Sequence, residues 1–144
     1  MHYKIGSKLV KSENAAKSIK QPNRNVINFI SSIPYDVVAL DYGCGKMRYT
    51  IPLANKVRKV IAIDSAEQIY RKQNINSQYT SIYNYAYDNM NNVFIYDINS
   101  QDWKKHKYDI VFCTNVLSAI PTDDIRVEVL KNIKGCLSSN GYVY

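Results

Sequence analysis

The sequence predicts a doubly wound α/β fold, with a mostly parallel sheet of about five strands and helices on both faces. Three observations predict it. Apolar runs too continuous to alternate recur along the chain, which indicates strands that are buried on both faces. Segments with helical spacing lie between these runs, as in βαβ units. Right-handed crossovers between such parallel strands place helices on both faces of the sheet.

Composition is typical of one globular domain. The chain has 144 residues, is 46% hydrophobic and carries a formal net charge of +7. No run of about 18 apolar residues is present to span a membrane, and the lysine-rich start argues against a signal peptide. Three widely spaced cysteines give no disulfide framework and favour the reducing cytoplasm. The positive charge indicates either a solvated surface or attraction to nucleic acid or another anion, and composition leaves both open.

The first 34 residues are predicted to be an N-terminal helical segment that packs on the core. Within residues 1–34, residues 12–20 suit a short helix with Ser12 as a candidate N-cap. Residues 25–33 place apolar side chains at helical spacing, so a second helix is predicted there. Pro34 ends it.

From residue 35 to 144 the pattern changes to strands alternating with helices. Residues 37–42 and 59–64 are apolar runs that lead into Asp41 and Asp64, and we expect them to be the first two buried strands. Residues 50–57 between them are predicted to be a helix. Pro52 then falls in its first turn, where a missing N–H costs little.

The middle of the chain is predicted to contain two helices and two strands. Residues 65–74 form a helix with Ser65 as its cap, and residues 76–92 form a second one with a tyrosine every four residues. Such a stripe is more often core packing than a platform for stacking bases, so we expect core packing. Strands follow at 93–97 and 108–114. The tyrosines of the stripe are Tyr79, Tyr83 and Tyr87.

The last predicted elements are a helix and a strand. Residues 123–137 carry apolar side chains at helical spacing and are predicted to be a helix. Asn140 and Gly141 predict a turn. Residues 141–144 begin a fifth strand.

Three consecutive predicted strands end in carboxylates, at Asp41, Asp64 and Asp97. Ligands of open α/β sheets bind outside the carboxyl ends of strands, so we expect these acids to line one crevice. Gly43 and Gly45 follow the first acid and let a ligand approach the backbone closely. Neither GxGxxG nor GxxxxGK[ST] is present, which favours a nucleoside with little phosphate. Asp64 suits ribose hydroxyls, whereas Asp41 suits an amino group or a sulfonium.

Four stretches of this sequence, in their order and spacing, resemble the class I S-adenosylmethionine-dependent methyltransferases. They are DYGCGK (41–46), IAID (61–64), YDI (96–98) and YDIVFCTNVLSAIP (108–121). The resemblance implies that residues 35–144 form a Rossmann-like domain that binds S-adenosylmethionine. It also implies transfer of a methyl group to an unidentified acceptor, with S-adenosylhomocysteine as the product.

The resemblance also implies the residues that bind the cofactor. The glycine-rich loop would lie beside the methionine part, Asp64 would bind the ribose hydroxyls, and Asp97 would bind the adenine amino group with Ile98 beside the ring. Residues 114–116 would close the pocket after the fourth strand. The implied cofactor-binding residues are Asp41, Tyr42, Gly43, Cys44, Gly45, Asp64, Ser65, Asp97, Ile98, Thr114, Asn115 and Val116.

Other reactive side chains are expected to be structural. Cys44 has no local base or lowered pKa that would make it a nucleophile, and Cys113 and Cys136 fall in apolar surroundings. His2 and His106 have no neighbours at ligand spacing, so no metal is expected. The sequence names no catalytic residue.

Two features depart from the pattern of the family, and a third departs from the pattern of its amine-methylating enzymes. Met47 stands where members often have glycine, and it either narrows the cofactor loop or simply packs. The family's sheet has seven strands, the last two an antiparallel hairpin, whereas this chain stops at Tyr144 in the fifth. We therefore expect a fragment, or a shortened protein whose open sheet edge is covered by a protein partner. Residues 114–121 lack the [DNS]PP[YFW] stretch of enzymes that methylate exocyclic amines of bases.

Several functions remain open at this stage. Residues 116–121 look more like the broad group of methyltransferases that act on small molecules, RNA or proteins. A non-catalytic nucleotide-binding or partner-subunit module is the main alternative. A nicotinamide-dependent oxidoreductase is a third, although the glycine pattern is imperfect for it.

Overall fold

The computed structural model describes the backbone of residues 2–5, 8–11, 16–17 and 19–144, and the side chains of residues 16–17 and 19–144. The helices are α1 (Arg24–Ser32), α2 (Thr50–Ala54), α3 (Ala66–Tyr70), α4 (Ile82–Asn89) and α5 (Asp123–Cys136). The strands are β1 (His2–Ile5), β2 (Lys8–Lys11), β3 (Val38–Tyr42), β4 (Lys59–Asp64), β5 (Gln73–Ile75), β6 (Gln78–Thr80), β7 (Val93–Asp97), β8 (Tyr108–Phe112) and β9 (Leu137–Val143).

The central sheet has five strands in the order β7-β4-β3-β8-β9, and every neighbouring pair is parallel. This confirms the predicted doubly wound α/β architecture. The first strand of the sheet, β3, lies in the middle, and the chain builds the sheet outward to one side and then to the other. The carboxyl ends of β3 and β8 therefore meet at the switch in strand order, where open α/β sheets bind ligands.

Apolar side chains cover both faces of the sheet. One face carries a cluster that includes Ala39, Ala62 and Val26 from α1. The opposite face carries Leu40 and Ile61, which belong to a second cluster. Successive residues of β3 and β4 thus point to opposite cores, so both strands are buried from their second residue onward and their sequences are nearly continuous apolar runs.

Helix α1 confirms the helix predicted for residues 25–33. Asn23 caps it by accepting a hydrogen bond from the backbone N–H of Asn25 at 2.9 Å. Val26 and Ile30 are buried, and the ring of Phe29 stacks on that of Tyr144 at 4.3 Å between centroids. The helix is thereby fixed against the β8–β9 side of the sheet.

At residues 2–5 and 8–11 the structure has strands where a helical segment was predicted. Strands β1 and β2 pair as an antiparallel hairpin, because HYKI alternates polar and apolar residues with the period of a strand. For the short helix predicted at 12–20, residues 12–15 and 18 lie outside the described residues. Residues 16–17 have no regular structure and residues 19–20 form a turn. The domain boundary at residue 34 stays a prediction.

An unpredicted hairpin, β5–β6, interrupts the two helices expected over 65–74 and 76–92. Its turn is made by Asn76 and Ser77, which both have positive φ, 45° and 71°. Helix α3 therefore ends at Tyr70, and α4 begins only after Ser81, which caps it by accepting from the N–H of Asn84 at 3.1 Å.

The expectation that the tyrosine stripe is core packing is wrong. Tyr79 lies on β6 and is 75% exposed, whereas Tyr83 and Tyr87 lie on α4 and are 43% and 82% exposed. Helix α4 buries Tyr85 and Ala86 instead. The four-residue spacing therefore marks the solvent face of α4.

Strand β9 begins earlier than predicted, and Asn140 and Gly141, where a turn was predicted, lie in an irregular part of it, since Tyr108 pairs with Leu137 but Ile110 pairs with Tyr142. The register between β8 and β9 shifts between Tyr108 and Ile110, as in a bulge. A Cβ atom on Gly141 would lie 2.5 Å from the carbonyl oxygen of Tyr108. The glycine is thus a point of close backbone approach between strands. Within the described residues, no helix has the length and apolar character needed to cross a membrane.

Candidate functional site

A cavity of about 650 Å³ opens at the carboxyl ends of the central strands. Its floor is the loop after β3, and Asp64 at the end of β4 lines it from the side. Residues 114–116 and 118–120, which follow β8, form another wall. Asn23 and Val26 contribute from α1 and the segment before it. The cavity lies at the predicted place, the edge where the strand order switches.

The glycine loop is held tightly at the bottom of this cavity. Gly43 and Gly45 adopt positive φ, +75° and +58°, which favours glycine. The backbone N–H groups of Gly43 and Cys44 both donate to the carbonyl oxygen of Ile63, at 2.9 and 3.0 Å. A Cβ atom on Gly43 would lie 2.6 Å from Cγ2 of Val116, so the loop and the far wall meet there.

Met47 packs and does not narrow the cavity. Its side chain is fully buried in the core, and it does not line the cavity. Its φ is +61°, the left-handed conformation that glycine adopts without steric cost. Its N–H donates to the carbonyl oxygen of Cys44 at 2.9 Å, which closes the loop before α2. The backbone at position 47 therefore adopts a conformation that favours glycine, whereas the side chain of methionine fills space in the core.

Asp64 connects the loop to β4. Its Oδ2 atom accepts from the N–H of Gly45 at 2.9 Å, and its Oδ1 atom accepts from the N–H of Ser65 at 2.8 Å. The side chain is largely buried at the cavity wall. Each carboxylate oxygen has a second lone pair, so Asp64 is able to accept further hydrogen bonds from a ligand hydroxyl.

Asp41 is buried beneath the same loop. Burial raises its pKa from 3.8 to about 6, the nearby charge of Asp64 adds to the rise, and a hydrogen bond from Thr50 opposes it. That bond joins Oγ1 of Thr50 to Oδ2 of Asp41 at 2.6 Å. At neutral pH the site therefore holds a buried negative charge, which a cationic ligand group would stabilise.

The wall after β8 is fixed by Arg126 of α5. Its Nε–H donates to the carbonyl oxygens of Leu117 and Ile120, at 3.1 and 2.8 Å. Asn115 has a φ of +63°, a conformation that asparagine tolerates better than most residues. The wall is thus an ordered turn positioned by side-chain hydrogen bonds.

Most of the predicted binding residues line this cavity. They are Asp41, Gly43, Cys44, Gly45, Asp64, Ile98, Thr114, Asn115 and Val116. Their roles toward a cofactor stay predictions.

Three predicted residues do not line the cavity. Because side chains alternate along β3, Tyr42 points to the face of the sheet opposite to that of Asp41. It is buried there with its ring edge-on to that of Trp103, and the ring centroids are 5.7 Å apart. Ser65 caps α3. Asp97 accepts from the N–H of Asn99 at 3.0 Å and stabilises the turn after β7.

One side of the cavity was not predicted from the sequence. Lys46, Arg48 and Tyr49 line it directly after the glycine loop, and their position beside that loop was an available indication. The Nε atom of Arg48 is buried and has no hydrogen-bond partner in the part of the chain that the structure describes. Its guanidinium lies 4.9 Å from the ring centroid of Tyr49. Lys17 and Asn23 also line the cavity, and only tertiary packing brings them there.

The cysteines are all free, and their environment disfavours the thiolate. Burial raises the pKa of Cys44 well above its usual value, and the charges of Asp64 and Asp41 add to the rise. Burial also raises the pKa of Cys113 to about 11. Within the described side chains, His, Cys, Asp and Glu form no group of three or more that could hold a metal ion.

Comparison with known sequences identifies two similarities. The profile of a family described as "Methyltransferase domain" matches residues 40–143. The uncharacterized protein YmfD of Escherichia coli strain K12 is 38% identical in an alignment 144 residues long, which covers 98% of this chain and 64% of that protein. The chain thus spans 64% of the length of this curated relative.

Solved structures share the fold at low sequence identity. The Trypanosoma brucei PRMT1 enzyme–prozyme heterotetrameric complex with AdoHcy has a TM-score of 0.60 at 18% identity, covering 83% of this chain and 36% of that one. An rRNA methylase from Streptococcus thermophilus has a TM-score of 0.59 at 16% identity, covering 88% of this chain and 71% of that one. These two likenesses concern the arrangement of the sheet and its helices.

Proposed function

This chain belongs to the methyltransferase-domain family, and from that premise we propose that it binds S-adenosylmethionine and transfers its methyl group to an acceptor. S-Adenosylhomocysteine would be the product, the same compound as the AdoHcy in the Trypanosoma brucei complex. The observation that carries the proposal is the way the cavity is built. The glycine loop at its floor and Asp64 at its side are joined into one unit by the hydrogen bond from the N–H of Gly45.

The residues of the cavity fit the chemistry of this cofactor. S-Adenosylmethionine carries ribose hydroxyls, a cationic sulfonium and ammonium, and a carboxylate, but no phosphate. Asp64 offers acceptors for the hydroxyls, and the buried charge of Asp41 favours the cations. The unpartnered Nε–H of Arg48 needs an acceptor, and the carboxylate provides one.

The adenine end is proposed from Asp97, the last residue of β7, and Ile98, which follows it. Ile98 lines the cavity and offers an apolar surface for the ring. Asp97 is paired with Asp64 in the register of β4 and β7, so it lies on the neighbouring strand. We propose that it accepts from the adenine amino group while it keeps its hydrogen bond from the N–H of Asn99.

When bound, the cofactor supplies an electrophilic methyl group on a sulfonium. The protein then has to align the acceptor in line with that methyl group and exclude water. For some acceptors it also has to provide a general base. The acceptor is proposed to be a small molecule, an RNA or a protein. The three free cysteines fit a reducing compartment, so we propose the cytoplasm as its location.

A second candidate function is a non-catalytic module that assists a partner subunit. It is favoured by β9, which pairs with β8 but with no further strand among the described residues, and which exposes Tyr142 and Val143. An open edge strand of this kind is a site for pairing with another chain. Cofactor binding without methyl transfer to any acceptor, in an otherwise intact protein, would support this second candidate.

Isothermal titration calorimetry with S-adenosylmethionine, S-adenosylhomocysteine and NADH tests the proposal. The first two are expected to bind and NADH is not. Asp64→Asn should weaken binding by about ten- to 150-fold, because each charge-assisted hydrogen bond lost costs about 1.5–3 kcal/mol. Asp88→Asn is the matched control, since Asp88 is exposed on α4 and outside the cavity.

Three results would contradict the proposal. Absence of heat and of a thermal shift with both sulfur ligands at millimolar concentration would exclude cofactor binding. Binding of NADH in their place would support the alternative function, a nicotinamide-dependent oxidoreductase. Unchanged affinity of the Asp64→Asn variant would show that the ribose site is assigned wrongly. A thermal melt of each variant without ligand separates loss of binding from loss of fold.

A further inference from the structure

A second pocket, of about 410 Å³, lies at the opposite edge of the central sheet. Its lining comes from the amino ends of four neighbouring strands, with Val38 at the start of β3, Lys59 at the start of β4, Phe94 near the start of β7 and Lys107 just before β8. Because the strands are parallel, this amino-edge pocket is separated from the proposed cofactor cavity by the length of the strands. It therefore plays no part in the site described above.

The amino-edge pocket collects basic residues from two distant parts of the sequence. Arg58 and Lys59 come from the segment before β4, whereas His106 and Lys107 come from the segment before β8. None of the described lining residues is acidic. The topology of the sheet thus converts two separate basic stretches into one positively charged surface, which the sequence alone left unconnected.

Nearby acids neutralise this surface only in part. Asp36 pairs with Arg58 at 3.3 Å, although both side chains are largely exposed. The carboxylate of Asp109 accepts from the N–H of Val38 at 2.9 Å and from the hydroxyl of Ser138. Among the described residues, neither Lys59 nor Lys107 takes part in an ion pair. Lys107 donates one hydrogen bond from its Nζ to the carbonyl oxygen of Gly135 at 2.7 Å, and an ammonium has three donors, so both lysines remain able to bind an anion.

An aromatic ring lies among these cations. Phe94 is 44% exposed, which is unusual for a phenylalanine on a strand of the central sheet. The ammonium of Lys59 lies 4.9 Å from the centroid of that ring. Asn92 supports the pocket, since its Nδ2–H₂ group donates to the carbonyl oxygens of Ala54 and Val57, at 2.8 and 3.1 Å.

We propose that the amino-edge pocket binds single-stranded nucleic acid. Lys59 and Lys107, with Arg58, would contact backbone phosphates, and a base would stack on the ring of Phe94. A positively charged groove combined with an exposed aromatic side chain is how proteins bind unpaired strands. A duplex keeps its bases stacked on one another and offers no free base to the ring. A lone phosphate would use the lysines but not Phe94.

Fluorescence anisotropy with a fluorescein-labelled single-stranded oligonucleotide, as RNA and as DNA, tests the proposal in the absence of any cofactor. Phe94→Leu keeps an apolar side chain and should raise the Kd about fivefold or more, since one stacked base contributes about 1–3 kcal/mol. The double variant Lys59→Gln/Lys107→Gln should reduce the slope of log affinity against log salt by about 1.4.

The matched control is the double variant Lys72→Gln/Lys131→Gln, which removes the same charge from exposed lysines outside the pocket. If it weakens binding as much as the pocket variant does, net charge alone is responsible and the proposal is overturned. Equal competition by inorganic phosphate or by the duplex would also overturn it. Thermal melts show that each variant is folded. Because no cofactor is present, a negative result here leaves the proposed methyl transfer untouched.

Discussion

Replacing Asp41 with Asn is expected to change how stability depends on pH. Burial raises the pKa of Asp41 from 3.8 to about 6, so the folded state prefers the protonated carboxyl. As the pH rises above 3.8, the unfolded chain releases this proton before the folded protein does. The stability that Asp41 contributes is therefore fully present below pH 3.8 and is lost as the pH rises through about 6.

The size of the effect follows from this shift. About two pKa units correspond to about 3 kcal/mol of unfolding free energy, and the side chain is buried, so solvent screening reduces it little. Between pH 4 and pH 8 the observable part is about 2.5 kcal/mol, because some of the unfolded chain is already ionised at pH 4. The Thr50 hydroxyl is able to donate to the carbonyl of an asparagine as it does to Asp41.

Urea denaturation of the parent and of Asp41→Asn at five pH values from 4 to 8 measures this difference. Any free-energy cost of the new amide group is independent of pH, so it changes the unfolding free energy of the variant by the same amount at every pH. The stability of the variant relative to the parent should therefore rise by about 2.5 kcal/mol across the range. Asp88→Asn, at an exposed position outside the cavity, is measured beside it as the matched control. A flat difference, or one that falls with pH, would refute the assignment of a raised pKa to Asp41.

Two further predictions concern the loop after β3. Arg48→Met should weaken S-adenosylmethionine and S-adenosylhomocysteine binding by about tenfold in calorimetry, because the cofactor carboxylate loses a charged donor. Arg24→Met, at an exposed site, is the control. Equal affinities of the Arg48→Met variant and the parent would show that Arg48 does not bind the cofactor. Met47→Gly relieves about 1–2 kcal/mol of left-handed strain but loses about 2–5 kcal/mol of buried side chain. Urea denaturation should therefore show net destabilisation, and a gain in stability would mean that strain outweighs packing.

The central strands were predictable because burial on both faces leaves a simple pattern. KVIAID is a continuous apolar run, and the structure places β4 at those same residues. The β5–β6 hairpin was missed because its strands have only three residues each and are polar. Its turn depends on positive φ at Asn76 and Ser77, and asparagine followed by serine is a weaker turn pattern than asparagine followed by glycine. The tyrosines spaced by four residues then led to a helix being predicted over residues 76–92, which is longer than α4.

The floor of the cavity was predictable for a different reason. Asp41, Gly43 and Gly45 are adjacent in the chain, so one short stretch shows both the strand end and the turn. The opposite side depends on packing: Asn23 lies at the cavity because α1 docks on the sheet, and its N–H donates to the hydroxyl of Tyr49 at 3.4 Å. No local pattern indicates a contact between residues so far apart in the chain.

The loop is ordered by the protein before any ligand binds. The N–H of Gly45 donates to the carboxylate of Asp64. The carbonyl oxygen of Gly45 accepts from Nε2 of the buried Gln68 at 2.5 Å. The conformational entropy of the loop is therefore lost on folding rather than on binding, which leaves more of the contact energy for affinity. The same bonds give Asp64 a role in stability beside its proposed role in recognition. An Asp64→Asn variant should be less stable without ligand, and only the affinity loss that remains in the folded fraction reports on recognition.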